Sequence, residues 1–296
     1  MELSKNQFLG TDAGAVTFED ATVIVVPFGY EGGASYGKGT AKGPEAIIDA
    51  SSYLELYDEV LDVEPYKVGI CTVTPPGIPK TPEAMNRIVY ETTGKILDQD
   101  KFIVSIGGDH SITPGCCRAL QEKQGALAVI QIDAHADLRR SYQGSKFSHA
   151  CVMSRIREMT SDTLQLGIRS LSADEAQRIR NEQIAVCTMH EFRAAGFNLT
   201  TALQRLPDPV FITFDVDVFD WSVVRSTGTP EPGGMFWDEA MSLLQQIFSS
   251  KRVVGFDVVE LAHDEHDRNS AFAAAKLIYK MIGFKFISQI KAVKEK

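Results

Sequence analysis

The sequence has 296 residues, of which 44% are hydrophobic and 23% are charged. This composition is ordinary for a globular protein with a large core. Acidic residues outnumber basic ones, so the formal net charge is −9 and the sequence pI is near 5.2. Because no excess of Lys and Arg is left for phosphates or for an anionic surface, nucleic acid and membrane are not expected as partners.

The cysteines and the N-terminus indicate a reducing compartment. The cysteines number five, form no CxxC pair and lie in apolar surroundings, as is typical of buried free thiols. The first residues lack the basic start and apolar core of a signal peptide, and no stretch approaches the roughly 18 apolar residues of a membrane helix. The sequence therefore predicts a cytoplasmic protein.

Short apolar, β-branched runs alternate with longer helical patterns along the chain. The predicted strands are residues 22–26, 67–71, 102–106, 127–133, 163–167, 184–188, 210–217 and 253–260. The predicted helices are residues 44–55, 82–97, 112–121, 148–159, 173–181, 237–248 and 271–282. This alternation predicts an α/β fold: one three-layer domain, residues 1–296, with an eight-stranded, mainly parallel sheet flanked by helices. In such sheets, functional residues lie at the carboxyl ends of the strands.

Acidic side chains gather at two of these strand ends. The fourth strand ends in IDAHADL, so that Asp133, His135 and Asp137 occupy every second position and would share one face of an extended chain. The seventh strand ends in TFDVDVFD, where Asp215 and Asp217 repeat this spacing. Both strand ends are expected to meet at one edge of the sheet.

A third strand end adds His110, which follows two glycines that permit a tight turn in IGGDHS. Four buried carboxylates would repel one another strongly without cations. Carboxylates with two imidazoles and no thiolate suit a hard or borderline divalent ion such as Mn²⁺ better than the Cys-rich zinc pattern. Six ligands are too many for one catalytic ion, but they fit a pair about 3.5–4 Å apart that shares carboxylates and activates water.

Each motif also has a simpler interpretation. A DxH triplet occurs by chance, an Asp at a strand end often caps a helix, and GGDH alone is only a turn. The coincidence of all three motifs at the carboxyl ends of parallel strands favours the metal site.

These motifs resemble those of a known family. IGGDHS, DAHAD and FDVD are similar to the three metal-binding motifs of the ureohydrolases, which include arginase and agmatinase. GTAKGPEAII, SHACVMSRI, STGTPEPGG and GFDVVEL agree as well, so the resemblance spans nearly the whole chain. The segments resemble agmatinases more closely than arginases.

The resemblance implies two Mn²⁺ ions per chain and a ligand set for each. The first ion would be bound by His110, Asp133, Asp137 and Asp215. The second would be bound by Asp133, His135, Asp215 and Asp217. Asp133 and Asp215 would bridge the two ions.

The resemblance also implies catalytic roles for Asp137, His149 and Glu260. Asp137 would orient the attacking water. His149 matches a mobile-loop histidine and would carry a proton to the leaving amine; the alternative is a solvent-facing histidine at a helix N-terminus. Glu260 would pair with the substrate guanidinium, since a carboxylate and a guanidinium can form two parallel hydrogen bonds; the alternative is a helix-capping carboxylate.

Several positions depart from the family pattern and affect substrate choice more than chemistry. Trp221 stands where the family commonly has Pro, and His263 replaces the Pro of ELAP. Arg139 stands where arginases have an Asn that helps to read the α-carboxylate, which disfavours arginine. His263 and His266 in AHDEHD could indicate another metal site, but an acidic, solvated loop is the favoured interpretation.

The segment GGASYGK, residues 32–38, nearly completes a phosphate-binding loop. However, Gly39 occupies the position of the Ser or Thr that binds Mg²⁺, and the next predicted helix begins only near Pro44. The segment is therefore interpreted as a flexible loop at the rim of the active site, and not as part of an NTPase.

The sequence thus predicts a hydrolase that cleaves the guanidino group of a small cationic substrate and releases urea. Agmatine, which gives putrescine, is the leading substrate; aminopropylagmatine, guanidinobutyrate and arginine remain alternatives. A non-catalytic polyamine-binding relative is disfavoured because no expected ligand is missing. A deacetylase with a related sheet would need a single zinc site only. The resemblance also implies a homo-oligomer, trimeric or hexameric.

Overall fold

A parallel sheet lies between two layers of helices in the computed structural model, which describes residues 1–33, 35–75 and 77–294. Within these residues the sheet has eight strands, β1 to β8: Val23–Phe28, Ile70–Thr72, Phe102–Gly107, Ala128–Ile132, Thr163–Ile168, Ala185–Thr188, Val210–Asp215 and Val253–Val259. All neighbouring strands are parallel, in the order β2-β1-β3-β8-β7-β4-β5-β6. The predicted α/β sheet is confirmed.

The same residues form nine α-helices, α1 to α9: Gly43–Ser51, Pro82–Leu97, Thr113–Gln124, Val152–Ile156, Ala173–Glu182, Met189–Arg193, Leu199–Arg205, Trp237–Ser250 and Arg268–Lys294. Alternate side chains of the strands enter two different cores. Val23 and Val25 pack in the core that α1, α8 and α9 cover. Ile24 and Val26 pack in the core beneath α2 and α3. No helix in the described part of the chain is both long and apolar enough to cross a bilayer.

Strands covered on both faces are expected to be apolar almost throughout. Fully buried polar side chains interrupt this pattern near the carboxyl ends of central strands, among them Ser105, Gln131, Gln165, Thr213 and Asp257. Since buried polar groups are costly without partners, these residues point to a polar structure at this edge of the sheet.

The helices differ from the prediction in three places. α6 and α7 were not predicted, although Thr188 and Glu191 form a capping box at the start of α6. The helix predicted for residues 148–159 is a 3-10 turn, His149–Cys151, followed by the short α4. The last helix continues through Gly283, where a Cβ would lie 2.8 Å from Leu61 Cδ1. Gly283 therefore allows close packing and does not end the helix.

Candidate metal centre

The six predicted metal ligands and Glu260 lie at or shortly after the carboxyl ends of four adjacent strands, β3, β8, β7 and β4. His110 begins a 3-10 turn shortly after β3, and Asp133 directly follows β4. Asp215 is the last residue of β7, and Glu260 directly follows β8. Because the strands are parallel neighbours, their ends bring these side chains to one edge of the sheet.

The first group of candidate ligands surrounds the imidazole of His110. Its Nδ1 atom lies 3.2 Å from Oδ2 of Asp133, 3.1 Å from Oδ2 of Asp137 and 3.4 Å from Oδ2 of Asp215. The ligand atoms of His110, Asp133 and Asp137 can converge on a single ion. Asp215 lies beside this group.

The second group shares Asp133 and adds His135 and Asp217. Nδ1 of His135 lies 2.8 Å from Oδ2 of Asp217 and 3.7 Å from Oδ1 of Asp133. The backbone N–H of His135 donates to Oδ1 of Asp133 over 2.6 Å, and that of Ala134 donates to Oδ1 of Asp217 over 3.0 Å. All six predicted ligands therefore lie together, with Asp133 between the two imidazoles.

The backbone reaches this arrangement differently from the simple alternation expected along two strands. β4 ends at Ile132, and Asp137 has a left-handed φ of 52°. Asp217 lies in the 3-10 turn Val216–Val218, whose cap is the Asp215 carboxylate accepting from Asp217 N over 2.9 Å. Positive φ is uncommon for residues other than glycine and costs about 1–3 kcal/mol. The surrounding structure therefore holds Asp137 against a local preference.

The glycines before His110 serve close packing. A Cβ at Gly108 would lie 1.9 Å from the carbonyl oxygen of Tyr30, and neither Gly107 nor Gly108 has a positive φ. Gly108 also accepts a hydrogen bond from the Glu260 backbone over 2.8 Å. The chain bends at Gly108 before the turn of His110, and the glycines also let the ends of β1, β3 and β8 pack closely.

The charges of the site shift the pKa values of its groups strongly. Although burial opposes the imidazolium, the carboxylates of Asp133, Asp137 and Asp215 that face its Nδ1 atom raise the pKa of His110 well above its usual value. Burial also opposes the charge on His135, but mainly the Asp217 charge raises the pKa of His135 to about 12. Burial and the charge of Asp133 raise the pKa of Asp137 to about 7. Without a metal, the cluster therefore holds protons that the same groups in water would release.

The donor set fits a divalent cation. Nδ1 of His110 is buried and has no hydrogen-bond partner among the described residues, although three carboxylates face it. A buried nitrogen without a hydrogen-bond partner that faces carboxylate oxygens is expected where these atoms bind a cation together. Carboxylates with imidazoles favour Mn²⁺ or a similar ion over the thiolate-rich zinc site.

Glu260 borders the cluster and is almost fully buried. Its Oε1 atom accepts a hydrogen bond from the backbone N–H of His110 over 2.7 Å, and its own φ is 67°. A Cβ at Gly228 would lie 3.1 Å from the other oxygen, Oε2. Burial and the neighbouring Asp109 charge raise the pKa of Glu260 well above its usual value. A cation beside it would stabilise the charged form.

His149 lies outside both ligand groups and is partly buried. Its Nε2 atom is 3.3 Å from Ser35 Oγ, its Nδ1 atom is 3.4 Å from Ser148 Oγ, and Tyr142 packs edge-on against the ring. Burial lowers the pKa of His149 to about 4, so the ring is neutral at physiological pH. It can therefore accept a proton.

Sequence reasoning missed several residues that hold this site in place. Asp109 accepts from Gly33 N over 2.7 Å and so ties the rim loop to the turn of His110. Gln131 donates to Oδ2 of Asp133 over 2.7 Å. The Arg169 guanidinium donates to the Asp217 carbonyl over 2.7 Å. Gln131 could have been recognised from the sequence, because it is a polar residue inside an apolar strand. The sequence gives no such indication for Arg169.

The residues that depart from the family pattern lie around the site. Arg139 is partly exposed, with its guanidinium 5.2 Å above the Tyr142 ring and 3.9 Å from Glu175. Trp221, His263 and His266 line a cavity of about 620 Å³. Neither histidine belongs to a ligand group within the described residues.

The near-phosphate loop of residues 32–38 lies at the rim, as predicted. Gly37 N donates to the Gly228 carbonyl over 2.8 Å, and Gly33 lies beside His149. Ala34 of this segment lies outside the described residues. The helix α1 begins at Gly43, too late for a phosphate-binding loop.

The fold and the site define a class of protein: an α/β protein with a candidate metal centre at the carboxyl edge of its parallel sheet. Residues 20–283 match the Arginase family. The chain belongs to the arginase family and is a ureohydrolase of that family.

Relatives within this family are similar over nearly the whole chain. The N(1)-aminopropylagmatine ureohydrolase of Synechocystis sp. is 39% identical over 293 residues, covering 96% of this chain and 95% of that protein. The agmatinase of Pyrococcus horikoshii is 33% identical over 270 residues, covering 90% and 93%. The crystal structure of the agmatine ureohydrolase of Thermoplasma volcanium superimposes with a TM-score of 0.87 at 25% identity, covering 97% of each chain.

Proposed function

We propose that the protein releases urea from agmatine and leaves putrescine. The observation that carries this proposal is the pair of carboxylate–imidazole groups that share Asp133 and lie beside Glu260. His110, Asp133, Asp137, Asp215, His135 and Asp217 would hold two Mn²⁺ ions. When bound, such a pair supplies Lewis acidity and an activated water molecule.

The residues around the metal centre would bind and orient the substrate. Glu260 would pair with the guanidinium through the oxygen that His110 N does not occupy. This pairing fixes the guanidino carbon close to the attacking water. Asp137 would orient that water.

A proton must then reach the leaving amine. As the C–O bond forms and the bond from carbon to the leaving nitrogen breaks, that nitrogen takes up a proton. The attacking water supplies this proton, and His149 at the rim would pass it on. The low pKa keeps the ring neutral, so that one ring nitrogen accepts a proton while the other donates one. Urea and the free amine are the products.

N(1)-aminopropylagmatine is the second candidate substrate. The Synechocystis relative of that name is 39% identical over nearly the whole chain, whereas the agmatinase of Pyrococcus horikoshii is 33% identical. Arginine is disfavoured, since Arg139 stands where arginases have the Asn that helps to read the α-carboxylate, and its guanidinium is engaged with Tyr142.

Urea release by Mn²⁺-loaded protein tests the proposal on agmatine, N(1)-aminopropylagmatine, guanidinobutyrate and arginine. We expect the highest kcat/KM with agmatine. A clear preference for N(1)-aminopropylagmatine would change the proposed substrate but not the proposed reaction. Release of urea from none of the four would contradict the proposed function.

We also propose that the chain works as a homo-oligomer, a trimer or hexamer, with residues 1–296 as one domain in each copy. Light scattering on the purified protein measures this directly. A monomeric mass would contradict it.

A further inference from the structure

A line of buried polar side chains leads away from the second ring nitrogen of His110. Nε2 of His110 lies 2.8 Å from Oγ1 of Thr213. Oγ1 of Thr113 lies 3.4 Å from that oxygen and donates to Oδ2 of Asp257 over 2.8 Å. Thr113, Thr213 and Asp257 are fully buried. No step of the proposed reaction uses them.

The chemistry of the groups sets the direction of these hydrogen bonds. An ionised carboxylate can only accept, so the hydroxyl proton of Thr113 points to Asp257. The hydroxyl proton of Thr213 then points to the oxygen of Thr113 or to Asp257 itself. In either case the oxygen of Thr213 faces Nε2 of His110 as an acceptor. A neutral His110 therefore carries its proton on Nε2 and has its lone pair on Nδ1, which faces the three carboxylates.

We propose that Asp257 is a positioning residue that acts through Thr113 and Thr213 to hold His110 with Nδ1 free for a metal ion. A metal binds the unprotonated nitrogen of an imidazole, and the group bonded to the other nitrogen selects the tautomer and the ring orientation. The proposal rests on the metal centre of the proposed function, but not on its substrate.

The burial of Asp257 is consistent with this role. A buried carboxylate needs several hydrogen-bond partners, and besides Thr113 the Thr213 hydroxyl and the Phe214 backbone contribute to stabilising its charge. Burial raises the pKa of Asp257 to about 6, so the group is charged in mildly alkaline solution. Its position is costly for folding alone, and cations bound nearby would offset the cost.

The test measures Mn²⁺ affinity by titration calorimetry on the metal-stripped full chain. Asp257→Asn and Thr213→Val should each weaken binding at one site by about 10–100-fold, the usual effect of losing a partner behind a metal-binding histidine. Thr213→Ser keeps the hydroxyl and should bind Mn²⁺ as the wild-type protein does. Circular dichroism confirms folding. If either Asp257→Asn or Thr213→Val fails to fold, the other carries the test, because each removes one end of the link between Asp257 and His110.

A double-mutant cycle separates the hydrogen-bonded line from a direct effect of charge. If Asp257 acts through Thr213, Asp257→Asn should cause no further loss of affinity in the Thr213→Val protein. The proposal would be overturned by any of three results. The losses of affinity could multiply in the double variant, Asp257→Asn could bind Mn²⁺ with unchanged affinity, or Thr213→Ser could fail to restore binding. Because the readout is Mn²⁺ binding, a protein that passes this test but releases no urea would refute the proposed function alone.

Discussion

At the scale of single residues, Asp133 is the side chain on which both ligand groups depend. Its Oδ1 atom accepts from His135 N over 2.6 Å, and its Oδ2 atom accepts from Gln131 over 2.7 Å. The neighbouring imidazoles of His110 and His135 lower the pKa of Asp133 despite its burial. The carboxylate is therefore held ionised and oriented before any metal binds.

We expect Asp133→Asn to bind fewer than two Mn²⁺ ions per chain and to lose urea release, because an amide cannot balance the charge of two ions. Elemental analysis and the urea assay on one preparation measure both effects. Asp162→Asn is the matched control, since this exposed residue lies at the amino end of β5. A variant of Asp133 that keeps two metals and normal turnover would contradict the site.

Glu260 allows binding of the substrate to be tested apart from binding of the metal. Glu260→Gln keeps the shape and hydrogen-bonding capacity but removes the charge. Losing a charge-assisted, desolvated pair costs about 2–5 kcal/mol, which lowers kcat/KM by roughly 30-fold to several thousand-fold. Bound Mn²⁺ should remain at two per chain.

The alternative for Glu260 is a purely structural carboxylate. That role predicts a lower melting temperature with kcat/KM nearly unchanged. Melting temperature, bound Mn²⁺ and agmatine kinetics on the same preparation distinguish the two. A destabilised but fully active variant would remove Glu260 from the site.

At the scale of secondary structure, the sequence predicts where strands end better than how the chain leaves them. At the ends of β4 and β7 the sequence changes abruptly from apolar residues to Asp and His. This change predicted both the strand ends and the candidate ligands that follow them. The positive φ of Asp137 and of Glu260 left no such mark, since nothing in their local sequence requires it. Contacts from distant segments impose it, as when Met153 N donates to the Asp137 carbonyl over 3.0 Å.

The short helices were missed for a related reason. α6 and α7 have five and seven residues, too few for a helical period to emerge from the pattern. Their polar caps, Thr188 and Asn198, were the only local signals. Capping alone does not distinguish a helix from a turn.

Gly108 provides a prediction about the turn that carries His110. Gly108→Ala should destabilise the protein by about 1–3 kcal/mol or more, because the new methyl group must displace the Tyr30 backbone. The displacement should also weaken Mn²⁺ binding. Denaturant unfolding and metal titration measure the two effects.

The matched control is Gly94→Ala, at a position in α2 where a Cβ meets nothing within 4 Å. There the substitution should stabilise the protein by about 0.4–1 kcal/mol, because it reduces the freedom of the unfolded chain. If Gly108→Ala were as harmless as the control, close packing would not explain the glycine.

At the scale of the whole molecule, the order of the strands assembles the site. Glu260, directly after β8, meets His110, shortly after β3, although 150 positions separate them, because β8 lies next to β3 in the sheet. The alternation of strands and helices predicts a parallel sheet but not this order. The sequence motifs were therefore enough to predict the metal ligands. The placement of Glu260 beside them was predicted only from the resemblance to a known family.

The pKa shifts of the metal-free cluster affect the stability of the entire chain. Between pH 3.8 and about 7, folded Asp137 keeps a proton that the unfolded chain releases, so the free energy of unfolding falls as the pH rises through this range. The raised pKa of His135 acts in the same direction at higher pH. Its stabilisation is full below pH 6.5 and is lost as the pH rises toward about 12. Both groups therefore make the metal-free protein less stable as the pH increases.

Metal binding should reverse this trend, because the ions bind the deprotonated ligands and stabilise only the folded state. We expect the melting temperature of the Mn²⁺-loaded protein to exceed that of the chelator-treated protein, and the difference to widen from about pH 6 to about pH 8. Scanning calorimetry at several pH values measures it. Asp133→Asn is the control, since a chain that binds fewer metal ions should show a smaller difference at every pH. A gap that narrows as the pH rises would mean that the shifted carboxyl and imidazole groups are not the ones that bind the metals.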